Sequence, residues 1–140
     1  MELIRLEDSM SLNIPEIDSQ HETLIGLINA LHQSMLQQAD RAALGGLLAQ
    51  LLAHTQSHFS YEEQLMSQHG YPAYEVHKSE HARLIQHLLD LIGRFQNGDL
   101  LMSFAVVIEL KGWATIHIEK SDKLLGAFLK DQPGVDTASN

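Results

Sequence analysis

Four stretches of this chain repeat apolar residues at alternating three- and four-residue spacings, the pattern of a helix with one buried face. The first is Ile17, His21, Leu24, Ile28, Leu31, Met35, and the second is Leu44, Leu47, Leu51, Thr55, His58, Glu62, Leu65. The third runs Tyr74, His77, His81, Leu84, Leu88, Leu91, Phe95, and the fourth Leu100, Val107, Leu110, Ala114, His117, Ser121, Leu124, Phe128. No segment alternates every second residue as a half-buried strand would, so the chain reads as all-α. The breaks at Ala39-Asp40, Gly70-Tyr71-Pro72 and Asn97-Gly98 are short, which forces consecutive helices to run antiparallel. The expected fold is an up-down-up-down four-helix bundle with helices over 18–38, 41–68, 72–95 and 100–129. Asp40 and Asp99 suit N-caps, and Pro72 suits the first turn of the third helix. Residues 1–17 fit no helical template, and Pro15 argues for an extended N-terminal arm over the bundle at 18–130; residues 131–140 form a polar tail.

Composition narrows the function. Nine Lys and Arg against eighteen Asp and Glu give a net charge of -9, a field that repels phosphate backbones and anionic lipid head groups. Nucleic acid and membrane are therefore excluded as expected partners, and no apolar run of about 18 residues is present to span a bilayer. The first residues lack the basic-then-apolar pattern of a secretory signal, so the expected location is cytoplasmic. With no cysteine, any metal must be held by nitrogen and oxygen. Nine histidines, as many as all Lys and Arg together, point to where the chemistry lies.

Six ligand-type side chains occupy stripe positions that should be apolar: His21, His58, Glu62, His77, His81 and His117. A buried polar group needs a partner, and a single one is most simply a core histidine bonded to a backbone carbonyl. Six together call for a joint cause. His58 and Glu62, like His77 and His81, are four apart and share a face. Counted from the turns near residues 39 and 98, all five histidines fall within about four residues of one level, roughly 6 Å along the axis. Five imidazoles and one carboxylate exceed the four ligands of a structural zinc site, and suit two six-coordinate ions with bridging carboxylates. Asp122 is the expected second bridge. Five residues from His117 it would point about 140° away on a regular helix, so a π-type widening between the two is predicted, with Asp122 turned inward.

The runs Ile17-Asp18-Ser19-Gln20-His21, His58-Phe59-Ser60-Tyr61-Glu62-Glu63, Gly70-Tyr71-Pro72, His77-Lys78-Ser79-Glu80-His81, and Trp113 with His117-Ile118 and Asp122 resemble the hemerythrin family in its single-domain bacterial branch. The resemblance covers about Ile14 to Leu129. It implies two non-haem iron ions, one with His77, His81 and His117, the other with His21 and His58, bridged by Glu62, Asp122 and an oxo or hydroxo group. Six ligands against five leaves one position open on the His21/His58 iron. In the family that position takes dioxygen reversibly, for storage, transport or delivery to an oxygen-using enzyme, by a monomer or small oligomer. Ile118, Leu24, Phe59 and Ala114 are the expected apolar pocket lining, and Glu119 should turn outwards.

His77-Lys78-Ser79-Glu80-His81 also fits the H-x-x-E-H pattern of zinc peptidases, a reading that leaves four ligand-type residues unexplained. His54 reads as a near-site or solvated residue, and His32, His69 and His87 have no ligand-spaced partner at the right depth. Two positions depart from many relatives: no tryptophan stands near Arg5-Leu6, and Leu125 stands where a tyrosine is common. Binding without catalysis is the expected role, because no proton donor lies in the expected lining. A di-iron peroxidase, ferroxidase or nitric oxide reductase, and an oxygen sensor working through a separate partner, are the competing readings.

Overall fold

The computed structural model describes residues 10–98, 104–135 and 137. Helices α1 (Pro15–Leu36), α2 (Arg41–His69) and α3 (Tyr74–Gln96) are followed by a fourth rod in three parts. That rod consists of α4 (Phe104–His117), a π-helical turn over Ile118–Asp122, and α5 (Lys123–Leu129). The arrangement is the expected four-helix bundle, with α1 packed on α2 and α4, and α2 on α3.

The two proline expectations exchange places. Pro15 sits in the first turn of α1, where its missing N–H costs nothing, so the helix starts three residues before the expected boundary and the arm ends at Ile14. Asp18, expected to open that helix, instead accepts from Leu12 N at 2.8 Å and from Ser11 Oγ at 2.7 Å, tying residues 11 and 12 to α1. Pro72 lies in the turn before α3, which begins at Tyr74. Asp40 caps α2 as expected, its carboxylate accepting from Ala43 N at 2.8 Å. Gly70 closes α2 in the left-handed region (φ 64°), where glycine carries no Cβ penalty. The expected cap Asp99 and the expected first helical residue Leu100 lie outside the described residues, as does the arm at 1–9.

The π turn has a consequence for packing. It holds one residue more than an α turn, so the buried stripe after it advances by one position. Asp122, Leu125 and Leu129 are buried, whereas Leu124, expected inward, is 68% exposed, and Ser121 and Phe128 are only half-buried. The core divides into two apolar layers. One, built on Leu24, Ile28, Leu48, Leu88, Val107 and Leu110, fills the end near the α1/α2 turn. The other gathers Leu12, Ile14, Ile17, Met66, Leu125 and Leu129 toward the α2/α3 turn. Gly126 lets the arm lie close, since a Cβ there would meet Leu12 Cγ at 2.8 Å. The polar residues of the four stripes lie between the two layers.

Candidate metal centre

His21 from α1, His58 and Glu62 from α2, His77 and His81 from α3, His117 from α4 and Asp122 from the π turn converge in the interior, and all seven are buried. The π turn is what admits Asp122. His117 Nε2 lies 3.0 Å from Asp122 Oδ1, a distance that side chains about 140° apart on an α-helix do not reach.

The two carboxylates each face two ways. Glu62 Oε1 lies 3.1 Å from His81 Nε2 and 3.5 Å from His77 Nε2, and its Oε2 lies 3.1 Å from His58 Nε2 and 3.7 Å from His21 Nε2. Asp122 divides in the same sense: Oδ1 is 3.1 Å from His77 Nε2 and 3.0 Å from His117 Nε2, while Oδ2 is 2.9 Å from His21 Nε2. Two overlapping groups result, Glu62-His77-His81-His117-Asp122 and His21-His58-Glu62-Asp122, each with donor atoms within 4.8 Å of one another.

Among the described residues, the inward Nε2 atoms of His58, His81 and His117 and both oxygens of Glu62 make no hydrogen bond despite being buried. So many orphaned acceptors and donors in one layer would be costly in a purely structural core. Their chemistry, imidazole nitrogen and carboxylate oxygen with no sulfur, fits two iron ions sharing the carboxylates.

Outward, the imidazoles are held by groups that sequence reading did not single out. Glu63 Oε2 accepts from His81 Nδ1 at 2.9 Å, Glu80 Oε1 from His117 Nδ1 at 2.5 Å, and Gln20 Oε1 from His58 Nδ1 at 2.6 Å. Each stands next in sequence to a donor residue on its own helix and serves a histidine on the following one. That one-residue offset, about 100° around the helix, was the available signal.

The two inner carboxylates, Glu62 and Asp122, favour the protonated form of His21, His77 and His117, which face them. Burial pushes His21 and His77 down, but their contacts with Asp122 and Glu62 outweigh it and raise both to about 9. Burial pushes Glu62 up, and the surrounding histidines outweigh that and hold it well below the usual carboxylate range. Loading with a divalent ion at neutral pH is therefore expected to expel protons, and uptake to strengthen as pH rises toward 9. Because the histidine values are raised on folding, their stabilising effect is full below about 6.5 and lost as pH rises through about 9. The melting temperature of the metal-free chain should fall across that window, and titration calorimetry in buffers of different ionisation enthalpy should read the released protons.

Of the expected lining, Leu24, Phe59, Ala114 and Ile118 are all buried, and Glu119 is exposed as anticipated. Phe59 stacks on His81 with ring centroids 3.8 Å apart. His54 donates from Nε2 to the Gln20 backbone carbonyl at 2.8 Å and stacks beside His58, outside both groups. His87 pairs on the surface with Glu109 at 3.0 Å. His32 is buried at the apolar end and belongs to neither group.

The class so defined is a helical bundle whose core can hold two cations joined by shared carboxylates. Residues 12–129 match the hemerythrin HHE cation binding domain, and the chain belongs to the hemerythrin family. It is 33% identical over 123 residues to the bacteriohemerythrin of Stenotrophomonas maltophilia, covering 88% of this chain and 79% of that one. To the bacteriohemerythrin of Methylococcus capsulatus it is 32% identical over 117 residues, covering 84% and 88%. A crystal structure of wild-type hemerythrin superposes with a TM-score of 0.83 at 29% identity, over 89% of this chain and 96% of the other. Hemerythrins bind oxygen at a di-iron centre. Among the described residues no helix is long and apolar enough to cross a membrane.

Proposed function

We propose that this chain binds dioxygen reversibly, for storage or for delivery to an oxygen-using enzyme, at two irons held by the seven converging residues. His77, His81 and His117 serve one ion and His21 and His58 the other, with Glu62 and Asp122 bridging. The observation that carries this is the division of both carboxylates, one oxygen toward each histidine group. Five protein donors against four leaves the His21/His58 position the more open, and that is where dioxygen is assigned. Two ferrous ions held by these residues would supply the two electrons that reversible dioxygen binding draws on.

The protein's own part is to keep the open side dry and free of acids. Leu24, Ala114 and Ile118 join the larger apolar layer beside the histidines. The nearby Thr55 hydroxyl is committed to the Leu51 carbonyl at 2.6 Å, so it offers no loose proton. Such a pocket favours release of intact dioxygen over protonation and loss of peroxide, which supports a carrier over a peroxidase.

The test is the visible spectrum of anaerobic ferrous-loaded protein through cycles of air and argon. A charge-transfer band that rises in air and vanishes under argon in every cycle is expected. A band that forms once and persists, or peroxide released to solution, would overturn the assignment in favour of an oxidase or peroxidase. Ile118→Glu, which places an acid in the lining, is expected to speed fading of that band on the order of 100-fold. An unchanged rate would remove Ile118 from the pocket.

A further inference from the structure

The groups behind the histidines are not alike in the two sets. Among those of the three-histidine set, His81 and His117 each turn Nδ1 to a carboxylate, Glu63 at 2.9 Å and Glu80 at 2.5 Å. In the two-histidine set, His58 turns Nδ1 to the neutral amide of Gln20, and His21 Nδ1 has no hydrogen-bond partner among the described residues. The Gln20 amide is oriented at both ends, since its nitrogen donates to Glu16 Oε1 at 3.0 Å while its oxygen faces His58. Glu16 is exposed and one group further out, so solvent screens its charge from the site.

We propose that Glu63 and Glu80 are positioning residues that make the two metal positions electronically unequal, so that the ion at His77, His81 and His117 gives up its electron first. This rests on the ligand assignment above. A histidine whose outer N–H is held by a carboxylate is a more basic, more electron-donating ligand, and it stabilises the higher oxidation state of the metal it binds. The His21/His58 ion, with no carboxylate on the Nδ1 of either histidine among the described residues, remains the stronger Lewis acid, at the position assigned to dioxygen. The side chains of the two carboxylates are 25% and 26% exposed, Glu63 lining a groove between α2 and α3 and Glu80 one between α3 and α4. Ser121 Oγ donates to both oxygens of Glu80, at 2.8 and 2.9 Å, which fixes that carboxylate against His117.

The experiment is an anaerobic spectroelectrochemical titration of protein loaded with iron, metal content measured on the same sample. The wild type should hold two irons and lose two electrons to the electrode in two separate one-electron steps. Glu63→Gln and Glu80→Gln keep an acceptor for each imidazole but remove the charge. Each should raise the first step by about tenfold in the ferric-to-ferrous ratio, about 59 mV, with a smaller change in the second. Gln20→Glu, which adds a charge behind His58, should lower the second step and draw the two together. First and second steps that stay in place in the glutamine variants, or move together by the same amount, would overturn the inference while leaving the two-iron reading intact. Should a glutamine variant fail to hold two irons, Gln20→Glu decides: an unmoved second step overturns the inference. A wild-type chain holding fewer than two irons would overturn the ligand assignment itself.

Discussion

Replacing Glu62 by alanine is expected to cut iron content from two ions per chain to less than one. Glu62 is fully buried, and its two oxygens face opposite histidine groups, so the substitution removes a donor and a shared negative charge from both positions at once. Removing a group that merely orients a ligand costs about 10- to 100-fold in metal affinity. Losing a ligand common to both ions should exceed that, by more than about 100-fold for each position. Iron bound only to the folded state stabilises it in proportion to the logarithm of its excess over Kd, about 2.7 kcal/mol at a hundredfold excess. The iron-dependent rise in melting temperature should therefore disappear in Glu62→Ala, while Glu119→Ala, at an exposed neighbour of the ligands, keeps both the iron and the rise. Metal analysis and thermal unfolding with and without iron check the two arms. A Glu62→Ala chain that still carries two irons would mean that the carboxylate does not bridge them.

The convergence of the histidines and Glu62 was legible because each stripe carries a polar residue where packing demands an apolar one, and because bundle geometry sets the five histidines at one depth. The π turn was legible for a related reason: Asp122 serves the site only if the helix widens after His117. Its effect downstream was harder to read. A stripe extrapolated at regular spacing runs through Ser121, Leu124 and Phe128, and only when the extra residue is carried forward does it pass through Asp122, Leu125 and Leu129. The starts of α1 and α3 were misplaced by competition between two roles for the same residue type. Pro15 and Pro72 both satisfy rules for a first turn and for a bend, and packing of Ile14 and Ile17 into the apolar layer decides in favour of helix at Pro15. Gln20, Glu63 and Glu80 escaped notice because each looks like an ordinary solvated neighbour of a ligand. Their role appears only when the next helix is in place.

Shortening the π turn gives the sharpest test of why it exists. Deleting the exposed residue Lys120 leaves four steps between His117 and the aspartate. Four steps of an α-helix turn about 400°, which returns the aspartate to within about 40° of His117 and onto the same face. The five-step π turn achieves nearly the same rotation, so Leu125 and Leu129 keep their inward direction after the deletion. The single deletion is therefore expected to retain two irons and to straighten the rod into one α-helix. Deleting Glu119 and Lys120 together leaves three steps, about 300°, and rotates the aspartate and every residue after it by about 100° relative to the single deletion. That variant is expected to lose at least one iron and to turn Leu125 into the exposed direction Leu124 holds and Leu129 into the half-buried one of Phe128, with a fall in melting temperature of several degrees. Metal analysis, with hydrogen exchange of the 117–129 segment, separates the cases. Equal loss of iron in both deletions would show that the wide turn itself, beyond the direction it gives Asp122, is required to hold the metal.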